Sequence, residues 1–458
     1  MGRRTVLAVT VCAPSAAFAH ASDRAVILTL PTEGFIWGAG AIVALTAIIA
    51  GLTGRTPAFA AREIFVRPRL LPEGLASWLS AFFLFALIAT GFLGTSDPYA
   101  NPLPLWIWTV VWVGLVAVQA VIGDLWADLS PWSGPVRSLR ALLGRTGSIG
   151  LARLGHWPAT VGLIAFAWFE IVSLSPDDPA ELALIMAVYW LVIFTLSTLE
   201  GEGWLGQGEF MTVFMAKVAL IAPFWSEPAG PRLRVMTGLP GARIARADPL
   251  PPSAIAFVML MIASVSFDGL HETFHWVAAI GLNPLDYPGR SAVTGVNTAG
   301  LLATWALMAV LILLAIRLTL ALAGAPGGMA GITGPLALSF LPIAAGYHIA
   351  HYLTALLTQG QYAVAALSDP LHRGDDWLGL GPHWVGFGFL SQEAAVWRIW
   401  IVQCAIILAA HVIAVLLARR IAGQHGLALS VLAELPLTLL MVLYTSFGLW
   451  LLAAPAIG

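Results

Sequence analysis

The run Leu301-Leu302-Ala303-Thr304-Trp305-Ala306-Leu307-Met308-Ala309-Val310-Leu311-Ile312-Leu313-Leu314-Ala315-Ile316 carries no charged side chain and sits within a mostly apolar stretch, 296–320. Wound as an α-helix at about 1.5 Å per residue, that stretch outreaches the roughly 30 Å of hydrocarbon in a bilayer. It reads as a membrane span. Comparable runs lie at 34–53, 76–94, 105–122, 156–174, 182–199, 252–270, 335–358, 398–418 and 428–452. The fold class predicted is all-α, a polytopic transmembrane helical bundle of about ten spans. Composition agrees, with 59% hydrophobic and 10% charged residues against roughly 45–50% and about 25% in soluble proteins. A net charge of −2, from 22 basic and 24 acidic residues, leaves no basic field for nucleic acid. The expected partner is the lipid bilayer.

The arginines set the expected topology. Residues 210–225 include Lys217 and follow Glu209, which suits an interfacial or re-entrant segment better than a span. If that segment does not cross, Arg55, Arg62, Arg67 and Arg69, then Arg137, Arg140, Arg145 and Arg153, then Arg232, Arg234, Arg243 and Arg246, and finally Arg419 and Arg420 share one side. Basic loops stay cytoplasmic, so a bacterial inner membrane with the amino terminus outside is expected. Arg3 and Arg4 before Thr5–Val11, with Ala17-Phe18-Ala19 after it, predict a signal peptide over 1–19. A Pro/Gly-rich stretch at 227–252 reads as a linker between an amino-terminal half, 20–226, and a carboxy-terminal half, 253–458.

Ionisable side chains inside a span are costly and need a partner or a task. Phe267-Asp268-Gly269-Leu270-His271-Glu272-Thr273-Phe274-His275 contains H-E-x-x-H. On one continuous helix His271 and His275 would share a face, with Glu272 placed to deprotonate a metal-bound water. Tyr347-His348-Ile349-Ala350-His351-Tyr352 supplies a second pair, roughly 20–24 Å along its span and at a height similar to that of His271. With Asp268, Glu272 and Glu170, these histidines predict an N/O site for a divalent metal, zinc first, with copper, manganese or cobalt as alternatives. Cys12 and Cys404 are the only cysteines, which excludes a disulfide framework and a Cys-based zinc site. The loop residues Asp369, His372 and His383 are further ligand or lid candidates, beside Asp375 and Asp376. His20, if it became the mature amino terminus, would offer an amine and an imidazole to copper. His411 lies deeper, with Gln403 two turns outward, and belongs to a proton or packing network. The competing account is that each histidine donates to a backbone carbonyl and fixes helix packing.

Asp97-Pro98-Tyr99-Ala100-Asn101-Pro102, Trp112-Val113-Gly114-Leu115, Gly123-Asp124-Leu125-Trp126 and Ser130-Pro131-Trp132 resemble a bacterial multi-pass membrane family. Its members often carry the label fenitrothion hydrolase. The resemblance continues through Gly201-Glu202-Gly203-Trp204, Phe267-Asp268-Gly269, Tyr347–Tyr352 and Ser368-Asp369-Pro370. It implies hydrolysis of an organophosphotriester to a nitrophenol and a dialkyl thiophosphate.

The leading expectation is therefore a membrane-embedded hydrolase of small lipophilic substrates. His271, His275, His348 and His351 would hold the metal, Asp268 or Glu272 would act as carboxylate partner, and a metal-bound hydroxide would attack phosphorus from a site facing the periplasm. The same side chains could serve a metal-ion transporter, although His411 and Glu434 make a thin path to the cytoplasm. An intramembrane H-E-x-x-H protease is the third expectation.

Overall fold

The computed structural model describes residues 31–457 apart from 70, 326–328 and 382; the stretch read as a signal peptide, with Cys12 and His20, lies outside the described residues. The protein is a polytopic helical membrane bundle. Among the described residues nine helices are long and apolar enough to span: α1 (Thr32–Thr53), α2 (Leu75–Leu93), α3 (Pro102–Ile122), α5 (Pro179–Glu200), α7 (Pro252–His271), α9 (Arg290–Leu322), α10 (Gly331–His351), α12 (Glu393–Gln424) and α13 (Val431–Ala453). The run read at 156–174 is a shorter apolar helix, α4 (Trp157–Val172).

Helix ends follow local chemistry. Asp178 caps α5 by accepting from the Glu181 N–H, with Pro179 as its first residue, where a missing N–H costs nothing. Burial then ranks the helices: 83% of the α7 window and 89% of the α10 window are buried, against 28–50% for the other seven. A helix apolar on all sides belongs inside protein. These two helices form the centre of the bundle, and both carry the sequence-predicted histidines near their carboxy-terminal ends.

Two sequence expectations are revised, the span over 335–358 and the linker over 227–252, while the segment at 210–225 is too short to span, as expected. The span read over 335–358 ends at His351, and the chain turns at Tyr352 into α11 (Leu353–Ser368). The segment at 210–225 holds a ten-residue helix, α6 (Phe210–Ala219), whose Phe210, Met211, Val213, Phe214, Met215, Val218 and Ala219 are buried. At about 15 Å it is too short to cross, as the sequence reading has it. Glu209 caps it from a buried position, accepting from the Met211 and Thr212 N–H groups. The stretch read as a linker folds in part: β1 (Ala61–Pro68), β2 (Phe224–Ala229) and β3 (Arg232–Gly238) make an antiparallel sheet in the order β1-β3-β2.

The sheet and the histidine pairs lie at opposite ends of α7: β3 leads into its amino terminus, and Asp268 sits sixteen residues further on, about 24 Å away. Near the sheet end, a buried ion pair joins Arg419 of α12 to Glu434 of α13, and Arg419 also donates to the Leu429 carbonyl at 3.1 Å.

Candidate functional site

Asp268 occupies the last turn of α7. Its Oδ2 accepts from His351 Nε2 of α10 at 2.8 Å and from the Tyr352 hydroxyl at 2.7 Å. That hydroxyl also stands 2.9 Å from Glu170 Oε1 of α4. Three helices therefore meet at one phenol. A phenol has a single proton, so it donates to one carboxyl oxygen at a time; the second contact is a hydrogen bond only when that carboxyl brings its own proton. The Glu170–Tyr352–Asp268–His351 chain is thus built to share protons. Arg290, at the start of α9, fixes the α4 end by donating to the Glu170 and Ser173 carbonyls at 3.0 Å each, as cations do at helix carboxy termini.

Hydrogen bonds to carbonyls and carboxylates assign the imidazole tautomers, because these oxygens only accept. His351 carries its proton on Nε2, leaving the Nδ1 lone pair with no hydrogen bond among the described residues. His271 Nδ1 donates to the Asp268 carbonyl at 2.6 Å, within its own helical turn. His348 Nε2 donates to the Trp112 carbonyl at 2.7 Å. Residues Leu105–Leu115 of α3 are wound as a π-helix, a geometry uncommon over any length and frequent at functional sites. Trp112 belongs to that segment. Its ring stands 4.7 Å from that of His348, and its indole N–H lies beside Glu170.

The H-E-x-x-H reading needs correction. Helix α7 stops at His271, and α8 (Phe274–Ala279) begins after Thr273. Thr273 takes extended angles (φ −69°, ψ 146°) and caps α8 by accepting from the Trp276 N–H. The carboxy-terminal tail holds the break: Phe274 N–H donates to the Pro455 carbonyl, Ile457 N–H donates to the Glu272 carbonyl, and Thr273 bridges Ala456. His275 is consequently exposed, edge-on to Trp450 at 5.0 Å. It does not share a helical face with His271, which removes the geometry behind the protease expectation.

Nor do the four histidines converge. His348 is committed to Trp112, His275 faces away, and Asp268 Oδ2 is occupied by His351 and Tyr352. Among the described residues no group of three or more His, Cys, Asp or Glu side chains could hold a metal ion. The side chains present do not fit the expected divalent metal, and no step below passes through one. Glu272 lies near Tyr287. In the loop, Asp369 accepts from the Arg373 and Gly374 N–H groups at 2.8 Å, while His372 and His383 are exposed. Ser368 and the Leu380 and Gly381 N–H groups hold the Asp376 carboxyl below its ordinary range. These carboxylates build turns; among the described residues no hydrogen bond or ion pair joins them to Asp268.

Tyr352 and Trp112 were not singled out from sequence as site residues. Tyr352 follows His351 directly, and Trp112 opens one of the quoted family motifs; those were the available signals. Gly269 also matters, because a Cβ there would stand 2.5 Å from the Tyr347 hydroxyl and 3.6 Å from His351 Cε1. The Tyr347 ring stacks on His351 at 5.8 Å, so Gly269→Ala is expected to displace both rings. The cost should be about 1–3 kcal/mol of stability, read as a lower apparent melting temperature in detergent, with Gly360→Ala, in open space, as the unaffected control.

The chain was compared with protein-family models, curated proteins and solved structures, and none matches.

Proposed function

We propose that this membrane protein hydrolyses lipophilic esters, of the organophosphotriester class that the family resemblance implies, with His351 as general base and Asp268 as its partner. The observation that carries the proposal is the 2.8 Å bond from His351 Nε2 to Asp268 Oδ2. It orients the imidazole and leaves Nδ1 as the basic nitrogen, the arrangement in which a buried carboxylate stabilises an imidazolium as it forms. His351 Nδ1 takes a proton from water as the water oxygen bonds to phosphorus. The bond from phosphorus to the aryl oxygen breaks, and its electron pair leaves on the phenolate. A nitrophenolate is stable enough to depart with little acid assistance. The proton then leaves His351 from Nδ1 to water, which restores the tautomer whose Nε2–H is held by Asp268. A site near the end of the membrane-embedded helices suits substrates that reach it by partitioning into the bilayer.

The test is nitrophenolate release from fenitrothion or paraoxon by purified protein in lipid nanodiscs. Wild-type protein is expected to exceed empty discs, and His351→Gln to lose on the order of 10²–10⁴-fold. Equal release by His351→Gln and wild type would remove His351 from the chemistry.

A further inference from the structure

The register of the sheet separates its charges between two faces. Residues directly opposite one another in an antiparallel pair share a face. Glu63, Met236 and Trp225 lie in one such row, and Val66, Arg234 and Glu227 in the next on that face. This face meets the bundle. Met236 packs on the core, Trp225 is buried, and a Cβ added to Gly123, just beyond α3, would stand 2.8 Å from the Trp225 Cβ. The opposite face carries Arg62, Thr237 and Phe224, then Phe65, Val235 and Ser226, then Arg67, Leu233 and Pro228. Both carboxylates of the sheet, Glu63 and Glu227, therefore share the bundle-side face with Arg232 and Arg234. The outward face has two arginines and no acid.

On that face Phe65 and Phe224 are 51% and 46% exposed, and Phe65 lies between Arg62 and Arg67 along β1. Neither guanidinium makes a hydrogen bond or ion pair among the described residues, whereas Arg137 pairs with Glu202 and Arg419 with Glu434. Exposed aromatic rings beside unpaired cations on one surface are the composition of an interfacial segment, with apolar groups at the acyl boundary and cations at the headgroups. The chain holds the sheet where such a layer is within reach. Strand β1 lies between two membrane spans, α1 ending at Thr53 and α2 beginning at Leu75, and these short connections keep it at the bilayer surface. A dissolved anion would satisfy the arginines and leave both rings in water; a lipid surface takes both.

From this register we infer that the outward face of the sheet docks on the bilayer surface and binds anionic phospholipid, with Arg62 and Arg67 on the lipid phosphates and Phe65 and Phe224 in the interfacial layer. The inference stands on the segregation of charge between the two faces and does not depend on ester hydrolysis.

Ser226 is exposed on the same face, so a dye on Ser226→Cys, in a full chain carrying Cys12→Ala and Cys404→Ala, reads docking in nanodiscs that contain a headgroup-quencher lipid. Quenching is expected to rise when phosphatidylglycerol replaces part of the phosphatidylcholine and to fall again at high salt. Each arginine near an anionic surface contributes about fivefold, so Arg62→Gln/Arg67→Gln should lower the ratio of docked to undocked sheet on the order of twentyfold in anionic discs. Arg62→Lys/Arg67→Lys should restore most of it, and Phe65→Ser/Phe224→Ser should weaken quenching in both lipids. The glutamine variant breaks no ion pair among the described residues and should melt as wild type does. A dye unquenched in both lipids would leave the face to a soluble partner and overturn the inference. Equal quenching of wild type and Arg62→Gln/Arg67→Gln would do the same. So would a response of neutral discs to dissolved glycerol phosphate, which would mark a free-anion site in place of a lipid surface.

Discussion

Asp268→Asn is expected to lower nitrophenolate release on the order of 10²–10⁴-fold while leaving the bundle folded. Asparagine keeps the shape and can still accept from the His351 N–H or the Tyr352 O–H, so stability should change modestly. What it loses is the charge that stabilises His351 after the imidazole has taken a proton, a transition-state effect of the size usual for general acid–base machinery. Asp268→Ala separates the two roles. It leaves His351 Nε2 and the Tyr352 hydroxyl, both now bonded to Asp268, without that acceptor, at about 1–3 kcal/mol for each buried donor left unmet. Initial rates in nanodiscs and melting in detergent should thus diverge for asparagine and fall together for alanine. Asp268→Asn with near wild-type turnover would reduce the carboxylate to a packing group.

The second large effect lies at the other end of the bundle. Arg419 and Glu434 are 8% and 3% exposed, so removing either partner strands a charge in the interior, a loss of about 3–5 kcal/mol. Removing both and substituting apolar side chains of similar volume is often neutral or stabilising. Glu434→Leu should therefore melt well below wild type, and Arg419→Met/Glu434→Leu should recover most of the difference. A double variant as unstable as the single one would mean that the pair contributes more than its own compensation, through the Arg419 bond to the Leu429 carbonyl.

Hydropathy made the bundle readable because a lipid-facing helix has to display its character along its whole length. Counting residues along the spans placed His271, His348 and His351 in one layer, and the Asp268–His351 bond lies in that layer. The partnership inside it was not readable. His-Glu-Thr-Phe-His contains neither glycine nor proline, and the break at Thr273 is imposed by Pro455, Ala456 and Ile457, nearly two hundred residues away. The sheet escaped for the same reason: β1 pairs with β3, Ala61 opposite Gly238, and such pairing leaves no mark within either short segment. Tyr352 was hidden by lying next to a histidine pair that drew the metal reading. The proton count of a phenol between two carboxyls becomes visible only when α4, α7 and α10 are in place.

The most direct test of the account needs no substrate. A double-mutant cycle of Asp268→Asn and His351→Gln, read by reversible unfolding in mixed micelles, measures whether these two side chains interact across α7 and α10. A charge-assisted hydrogen bond predicts a coupling of about 1.5–3 kcal/mol. Losses that add to within about 0.5 kcal/mol, as for independent positions, would contradict the Asp268–His351 pair on which the proposed hydrolysis rests.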